Sequence, residues 1–294
     1  MSPTWLAEFS ANPIADISSI LANSFMRNAA LAATAVAVIG GMAGYFVIMR
    51  RLVFAGEALS HVAFTAAMGS LLLGFDPLMG VFVITVAVAA GVASVARTTP
   101  SYDVPLGITL AWVLGLGALL LTIYTSSSSG SANGAGGINA LFGSVLGIDG
   151  RDALIAAAVA VAGIVLLMVI ARPLLFASLD PVVAGVRGVP GRLVSVVFLM
   201  ILAASVTEAV QVVGALLTLA LLVMPAAIAT RWAVRPSRAI LLAIAVGLLI
   251  TWSGLTLGYY LPYPVSFFIT TLGFGLYVLT RAAEMLGRLK AARA

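Results

Sequence analysis

Arg50–Gly74 reads RRLVFAGEALSHVAFTAAMGSLLLG. Two arginines open it, a glycine closes it, and residues 52–74 between them are almost wholly apolar. A helix crosses a bilayer with about 20 such residues. The run is therefore long enough to span, yet it carries Glu57 and His61, the only histidine of the chain. Ionisable groups inside a span are costly and face the bundle interior, where they serve function by default. Read as a span, this stretch makes the chain a membrane protein with a polar element in its interior.

The composition agrees. The chain is 62% hydrophobic and 9% charged, with a mean hydropathy of +1.18. Soluble domains are about half apolar and about a quarter charged. A chain of 294 residues with this balance cannot hide its apolar surface in one core, so lipid must be its solvent. It has no cysteine, which excludes disulfides, thiolate metal sites and thiol catalysis. The net charge of +5 reads as a topology signal. No basic patch on a soluble face points to nucleic acid. The N-terminal stretch lacks a positive n-region, so a cleaved signal peptide is not expected.

Nine spans are predicted, at residues 28–49, 52–74, 78–96, 105–124, 153–171, 193–209, 212–230, 239–258 and 264–281. Cytosolic loops carry the excess of Lys and Arg. With the N-terminus outside, 13 of the 15 basic residues fall inside, leaving only Arg27 and Arg151 outside. The expected fold is thus an all-α polytopic bundle with an external N-terminus and a cytosolic C-terminus. Residues 1–27 form an extracytoplasmic tail or interfacial helix, 28–281 the membrane domain and 282–294 a cytosolic tail. The Ser/Gly-rich run at 126–137 is a flexible outer loop. Ile138–Ile148 is too short to span and is expected to be re-entrant or interfacial.

Glu57 and His61, at i and i+4, share one helix face, which Ser60, Phe64, Thr65 and Met68 extend. A carboxylate and an imidazole one turn apart can reach a single divalent cation. Imidazole suits zinc and iron, and carboxylate oxygen suits manganese. The same pair also fits a buried hydrogen bond that staples two helices. Glu208 and Gln211 are the next polar pair. The sixth span is short, so they either cap a tight hairpin at one membrane face or line the mouth of a pathway.

DPVVAGVRGVPGR, Asp180–Arg192, differs in kind. Asp180 can cap a helix N-terminus and Pro181 suits its first position. Gly188 can end the helix and Pro190 prevents its continuation. A short helix, spanning Ala184 and ending before Val189, is expected between two spans on the inner face. It is either an ordinary loop or a knob for a cytosolic partner. Pro225 lies inside the seventh span and should kink it. Gly40/Gly44 and Gly254/Gly258 both fit G-x-x-x-G, which permits close helix packing. No P-loop and no H-E-x-x-H occurs, so nothing reads as a catalytic site.

Four blocks carry a resemblance. Arg50–Gly74 resembles the second-span motif of the ABC-3 metal permeases, close to G-[D/E]-[A/T]-L-[S/A]-H-[A/S]. NALFGSVLGI (Asn139–Ile148), DPVVAGVRGVP (Asp180–Pro190) and VVGALLTLALLVMPAAIATRWA (Val212–Ala233) are similar to three further family blocks, in order. The resemblance covers roughly residues 28–281. It implies the membrane subunit of a zinc, manganese or iron ABC importer in the bacterial plasma membrane. Two permease copies would pair as a homodimer, driven by cytosolic ATP-binding subunits and fed by an extracytoplasmic metal-binding protein. No cofactor would be held permanently. The metal is the transported substrate, and ATP is used by the partner. Glu57 and His61 would contact the metal or gate its path, with Ser60, Thr65, Glu208 and Gln211 along the pathway. Asp180, Pro181, Ala184, Gly188 and Val189 would form the coupling helix. The family often has aspartate where Glu57 stands, and the 126–137 loop looks like an insertion. A chelate as cargo therefore stays open. Two readings outside the family are a proton-coupled secondary transporter and a membrane assembly protein.

Overall fold

The computed structural model describes residues 22–95, 103–126, 143 and 145–291. Among these, the chain is helical and contains no strand. Without water to satisfy them, N–H and C=O groups in lipid must pair within their own segment, which is what a helix does. The helices are α1 (Ser24–Met49), α2 (Val53–Leu73), α3 (Pro77–Val95), α4 (Asp103–Ser126), α5 (Gly150–Leu179) and α6 (Pro181–Val186). They continue as α7 (Gly191–Val213), α8 (Ala215–Trp232), α9 (Pro236–Tyr260) and α10 (Val265–Ala291).

Eight of the nine predicted segments match one long helix each, and the seventh, 212–230, begins in α7 and continues into α8. Among the described residues, seven helices are long and apolar enough to cross a membrane on hydropathy alone. α2 is held back by Glu57 and His61, and α8 is the shorter apolar helix.

Several hydroxyls inside the helices are satisfied locally, whereas those of Thr85, Thr207 and Thr251 are buried with no partner among the described residues. Ser70, Thr109, Ser205 and Thr218 each donate to the carbonyl four residues earlier. That pattern removes the cost of leaving a polar group bare in an apolar medium.

α1, α2 and α7 bury most of their residues, and α4 lies at the periphery. α1 packs against α5, α7, α8 and α9, while α2 packs against α3, α4, α7 and α8. Consecutive helices α1 and α2 hardly touch, because α7 and α8 stand between them. Small residues let α1 approach its neighbours closely. A Cβ at Gly44 would lie 1.9 Å from the Leu222 carbonyl oxygen of α8. At Gly254 and Gly258 it would meet Ile269 and Val265 of α10 at 2.5 Å. Both G-x-x-x-G pairs thus mark helix contacts, although at Gly40 the space is ordinary, 3.9 Å.

Side-chain contacts define the two ends of the bundle. Arg50 at the end of α1 bonds Ser195 at the start of α7, and Arg231 of α8 pairs with Glu284 of α10. At the opposite end, Asn23 donates to the Tyr259 hydroxyl and Asn28 to the Ile148 carbonyl. Arg50 and Arg231 thus mark one end of the bundle, and Asn23 and Asn28 the other.

Three expectations change. The sixth segment, predicted as 193–209, is the full-length α7, which runs to Val213 through Glu208 and Gln211. The hairpin therefore does not turn at those residues. It turns at Gly214, whose φ of +91° only glycine adopts without strain, and α8 starts at Ala215 rather than at residue 212. A helix interior tolerates two polar side chains where it does not tolerate that backbone. Second, α10 continues beyond residue 281 to Ala291, so the expected cytosolic tail begins as helix. Third, within the segment expected to be re-entrant, only Gly143 and residues 145–148 are described, and Val145–Gly147 form one 3-10 turn with Val145 buried. The 1–27 tail up to residue 21 and the loop at 127–137 lie outside the described residues.

Candidate functional site

α2 begins at Val53, and a helix rises about 1.5 Å per residue. Glu57 thus sits about 6 Å and His61 about 12 Å along α2 from its start beside Arg50 and Arg51. The pair lies in the first half of the helix. His61 Nε2 and Glu57 Oε1 are 3.1 Å apart. The side chains keep 11% and 29% of their exposure, so they are mostly buried yet reachable. Glu57 Oε2 is buried and has no hydrogen-bond partner among the described residues. An unpaired carboxylate oxygen in an apolar setting costs free energy unless something comes to it.

The two side chains supply one oxygen and one nitrogen donor. Among the described residues no group of three acidic, His or Cys side chains gathers that could hold a metal ion. The chemistry of the pair is that of one oxygen and one nitrogen that could reach a single cation.

Ser60, expected on the same face, is fully buried and donates to the Glu57 backbone carbonyl at 2.8 Å. Its hydroxyl is spent on the helix. Thr65 donates to the Val113 carbonyl of α4 at 3.1 Å and ties α2 to α4.

Glu208 and Gln211 belong to the opposite end of the bundle. Glu208 is 3% exposed, with Asp152 near enough to act on its charge. Gln211 lines a cavity of about 560 Å³ together with Asp76, Arg151 and Asp152. The sequence reading missed these three partners. They come from α5 and the turn before α3, and the only signal was their place at span ends. A larger groove of about 700 Å³ between α2, α3 and α4 is lined by apolar residues such as Met79, Trp112 and Leu116. It offers a cation almost nothing.

The short helix α6 forms as its sequence dictates. Asp180 Oδ1 accepts from Val183 N at 2.9 Å, and the helix opens on Pro181. Gly188, at φ +77°, turns the chain, and Val189 N donates back to the Ala184 carbonyl at 3.0 Å. Ala184 is buried, while Val182 and Val186 are 77% and 85% exposed. The two valines are one turn apart and form a bare apolar ridge. Pro225 lies inside α8 and faces Gly247 of α9, where an added Cβ would come within 3.7 Å of its ring.

The sequence signature of the ABC 3 transport family matches residues 22–284. The manganese import system permease protein ScaB of Streptococcus parasanguinis is 29% identical, over 82% of this chain and 84% of that protein. ScaB of Streptococcus pneumoniae is 30% identical, over 80% and 82%. The manganese transport system membrane protein MntC of Listeria innocua is 26% identical, over 83% and 85%. Among solved structures, PsaBC from Streptococcus pneumoniae in complex with Fab matches with a TM-score of 0.79 at 25% identity, covering 91% of this chain and 94% of that one. An inward-facing putative metal-chelate type ABC transporter shares the fold, with a TM-score of 0.71 at 16% identity over 94% and 91%.

Proposed function

Because this chain belongs to the ABC 3 transport family, we propose that it is the membrane-spanning permease subunit of an ATP-driven importer of divalent transition-metal cations. Manganese is the first candidate among zinc, manganese and iron. The relatives named for manganese import support that choice, while a carboxylate oxygen beside one imidazole is compatible with all three metals. The protein works in the bacterial plasma membrane, with nine spans, the N-terminus outside and the arginine-rich end in the cytosol.

One observation carries the reading: Glu57 Oε2 is buried and unpartnered beside the Glu57–His61 contact. A cation leaving its hydration shell meets there a charge, a nitrogen donor and a spare oxygen. An extracytoplasmic binding protein delivers the ion to the end where Gln211, Asp76 and Asp152 line the cavity. ATP binding by a cytosolic partner moves α6, whose Val182–Val186 ridge is the docking knob. The spans then change access around Glu57 and His61. A second permease copy completes the pathway and supplies the remaining ligands. The chain brings no ATP site of its own.

Uptake of radioactive manganese into proteoliposomes holding the permease and its ATP-binding subunit tests this. ATP-dependent accumulation that disappears in Glu57→Gln supports it. Wild-type accumulation in that variant removes the site assignment. Uptake driven by a proton gradient without any ATPase would favour a secondary transporter.

A further inference from the structure

Arg50 reads in the sequence as one of many inside arginines. In the structure it is not left to solvent. Its Nη2 donates to Ser195 Oγ of α7 at 2.5 Å, and its guanidinium lies 5.9 Å from the centroid of the Phe198 ring. Phe198 is fully buried and meets Phe46 of α1 edge-on at 6.0 Å. A charge whose only task was topology would have no need of these contacts.

The bond has neighbours on both sides. Towards α6, Ser195 Oγ donates to the Gly191 carbonyl at 2.8 Å. Gly191 N donates to the Val189 carbonyl at 2.8 Å, and Val189 N to the Ala184 carbonyl at 3.0 Å. Towards α2, Arg50 N donates to the Phe46 carbonyl at 2.9 Å and Leu52 N to the Val47 carbonyl at 2.8 Å. Between them Arg51 is held at φ +58°, where a side chain is rarely found. Leu52 then accepts from Ala55 and Gly56, the first turn of α2. Short hydrogen bonds and the chain between them thus connect α6 with the base of the helix that carries Glu57 and His61. α2 also packs on α7 directly, and the Arg50–Ser195 bond adds a polar link at its base, where α1 and α2 themselves hardly touch.

We propose that Arg50 and Ser195 are positioning residues of the transport cycle, their hydrogen bond passing the displacement of α6 to the base of α2 and so to the Glu57–His61 pair. The inference rests on the permease reading above. Coupling between sites is carried by contiguous packed and hydrogen-bonded networks, and it is established by measuring coupling rather than adjacency. Arginine suits the task because it stays charged and can stack on a ring while it donates.

The test uses the assembled transporter in proteoliposomes and reads metal accumulated per ATP hydrolysed. Arg50→Leu and Ser195→Ala should each lower that ratio by about tenfold, an ordinary coupling between two sites, while ATP hydrolysis and the amount of assembled complex persist. Arg50→Leu/Ser195→Ala should fall no further than the worse single variant, since both remove the same bond. Arg50→Lys should restore part of the ratio. A ratio within twofold of wild type in Ser195→Ala overturns the proposal, and so does a double variant that falls by the product of the singles. Loss of assembled complex in Ser195→Ala reduces the bond to a staple and overturns it too. If the wild-type transporter hydrolyses ATP yet accumulates no metal, the failure lies with the permease reading itself.

Discussion

Glu57 gives one carboxylate oxygen, Oε1, to His61 one turn above it and leaves the other, Oε2, buried without a partner among the described residues. A staple between helices would use both side chains across an interface. Here both belong to α2, and the contact joins no second helix. The arrangement leaves one carboxylate oxygen outside the contact with the imidazole.

Glu57→Gln and His61→Ala should therefore each lower metal uptake by at least tenfold. Losing an interaction with a charged group costs about 1.5–3 kcal/mol. Glu57→Asp keeps the charge but draws the carboxylate back by one methylene from the 3.1 Å contact with His61. Uptake should persist with a raised KM and a nearly unchanged maximal rate. Initial uptake rates across a manganese titration distinguish these outcomes, and a wild-type KM in Glu57→Asp would show that reach does not matter.

Gly44 and Gly40 separate packing from motif. A Cβ at Gly44 would strike the Leu222 carbonyl at 1.9 Å, whereas one at Gly40 has ordinary room at 3.9 Å. Gly44→Ala should destabilise the protein by about 1–3 kcal/mol or more, as overpacked cores do. Gly40→Ala should leave stability unchanged within about 0.5 kcal/mol. Thermal unfolding in detergent measures both, and equal losses would contradict the α1–α8 contact.

Val186→Asp places a charge on the exposed ridge of α6, where Val186 is 85% exposed. The folded chain should be unaffected, while capture of the ATP-binding subunit should be lost. Asp180→Ala removes the cap on Val183 N, worth about 1 kcal/mol. In a helix of six residues that loss should weaken capture in part. Pull-down of the partner from detergent extracts decides, and full capture by Val186→Asp would place the docking surface elsewhere.

Glu284 sits between Arg231 at 2.9 Å and Arg281 at 3.4 Å. These side chains are partly exposed, and such pairs contribute about 0–1 kcal/mol. Glu284→Gln should shift the melting temperature only slightly, and less at high salt. A large loss of stability would identify the trio as a lock between α8 and α10.

Much of this protein was legible along the chain because lipid imposes a local rule. Each span must be a long apolar helix, and its flanking charges choose the side. Hence the nine segments, the cap at Asp180, the turn at Gly188 and the one-turn spacing of Glu57 and His61 could all be read from neighbours in sequence. The end of α7 was misplaced for the same reason. Glu208 and Gln211 looked like a turn, but the chain bends at Gly214, where the backbone rather than polarity requires it.

Tertiary structure alone decided which helices meet. Spans that are apolar all round carry little periodicity to reveal a buried face, so sequence could not show that α7 and α8 separate α1 from α2. Nor could it bring Ser195 to Arg50, 145 positions away, or gather Asp76, Asp152 and Gln211 around one cavity. The sequence by itself determined that the chain crosses a membrane and carries an acid–imidazole pair within it. Close packing decided which helices surround the one that carries that pair, because helix contact is a property of matched surfaces and not of any one segment.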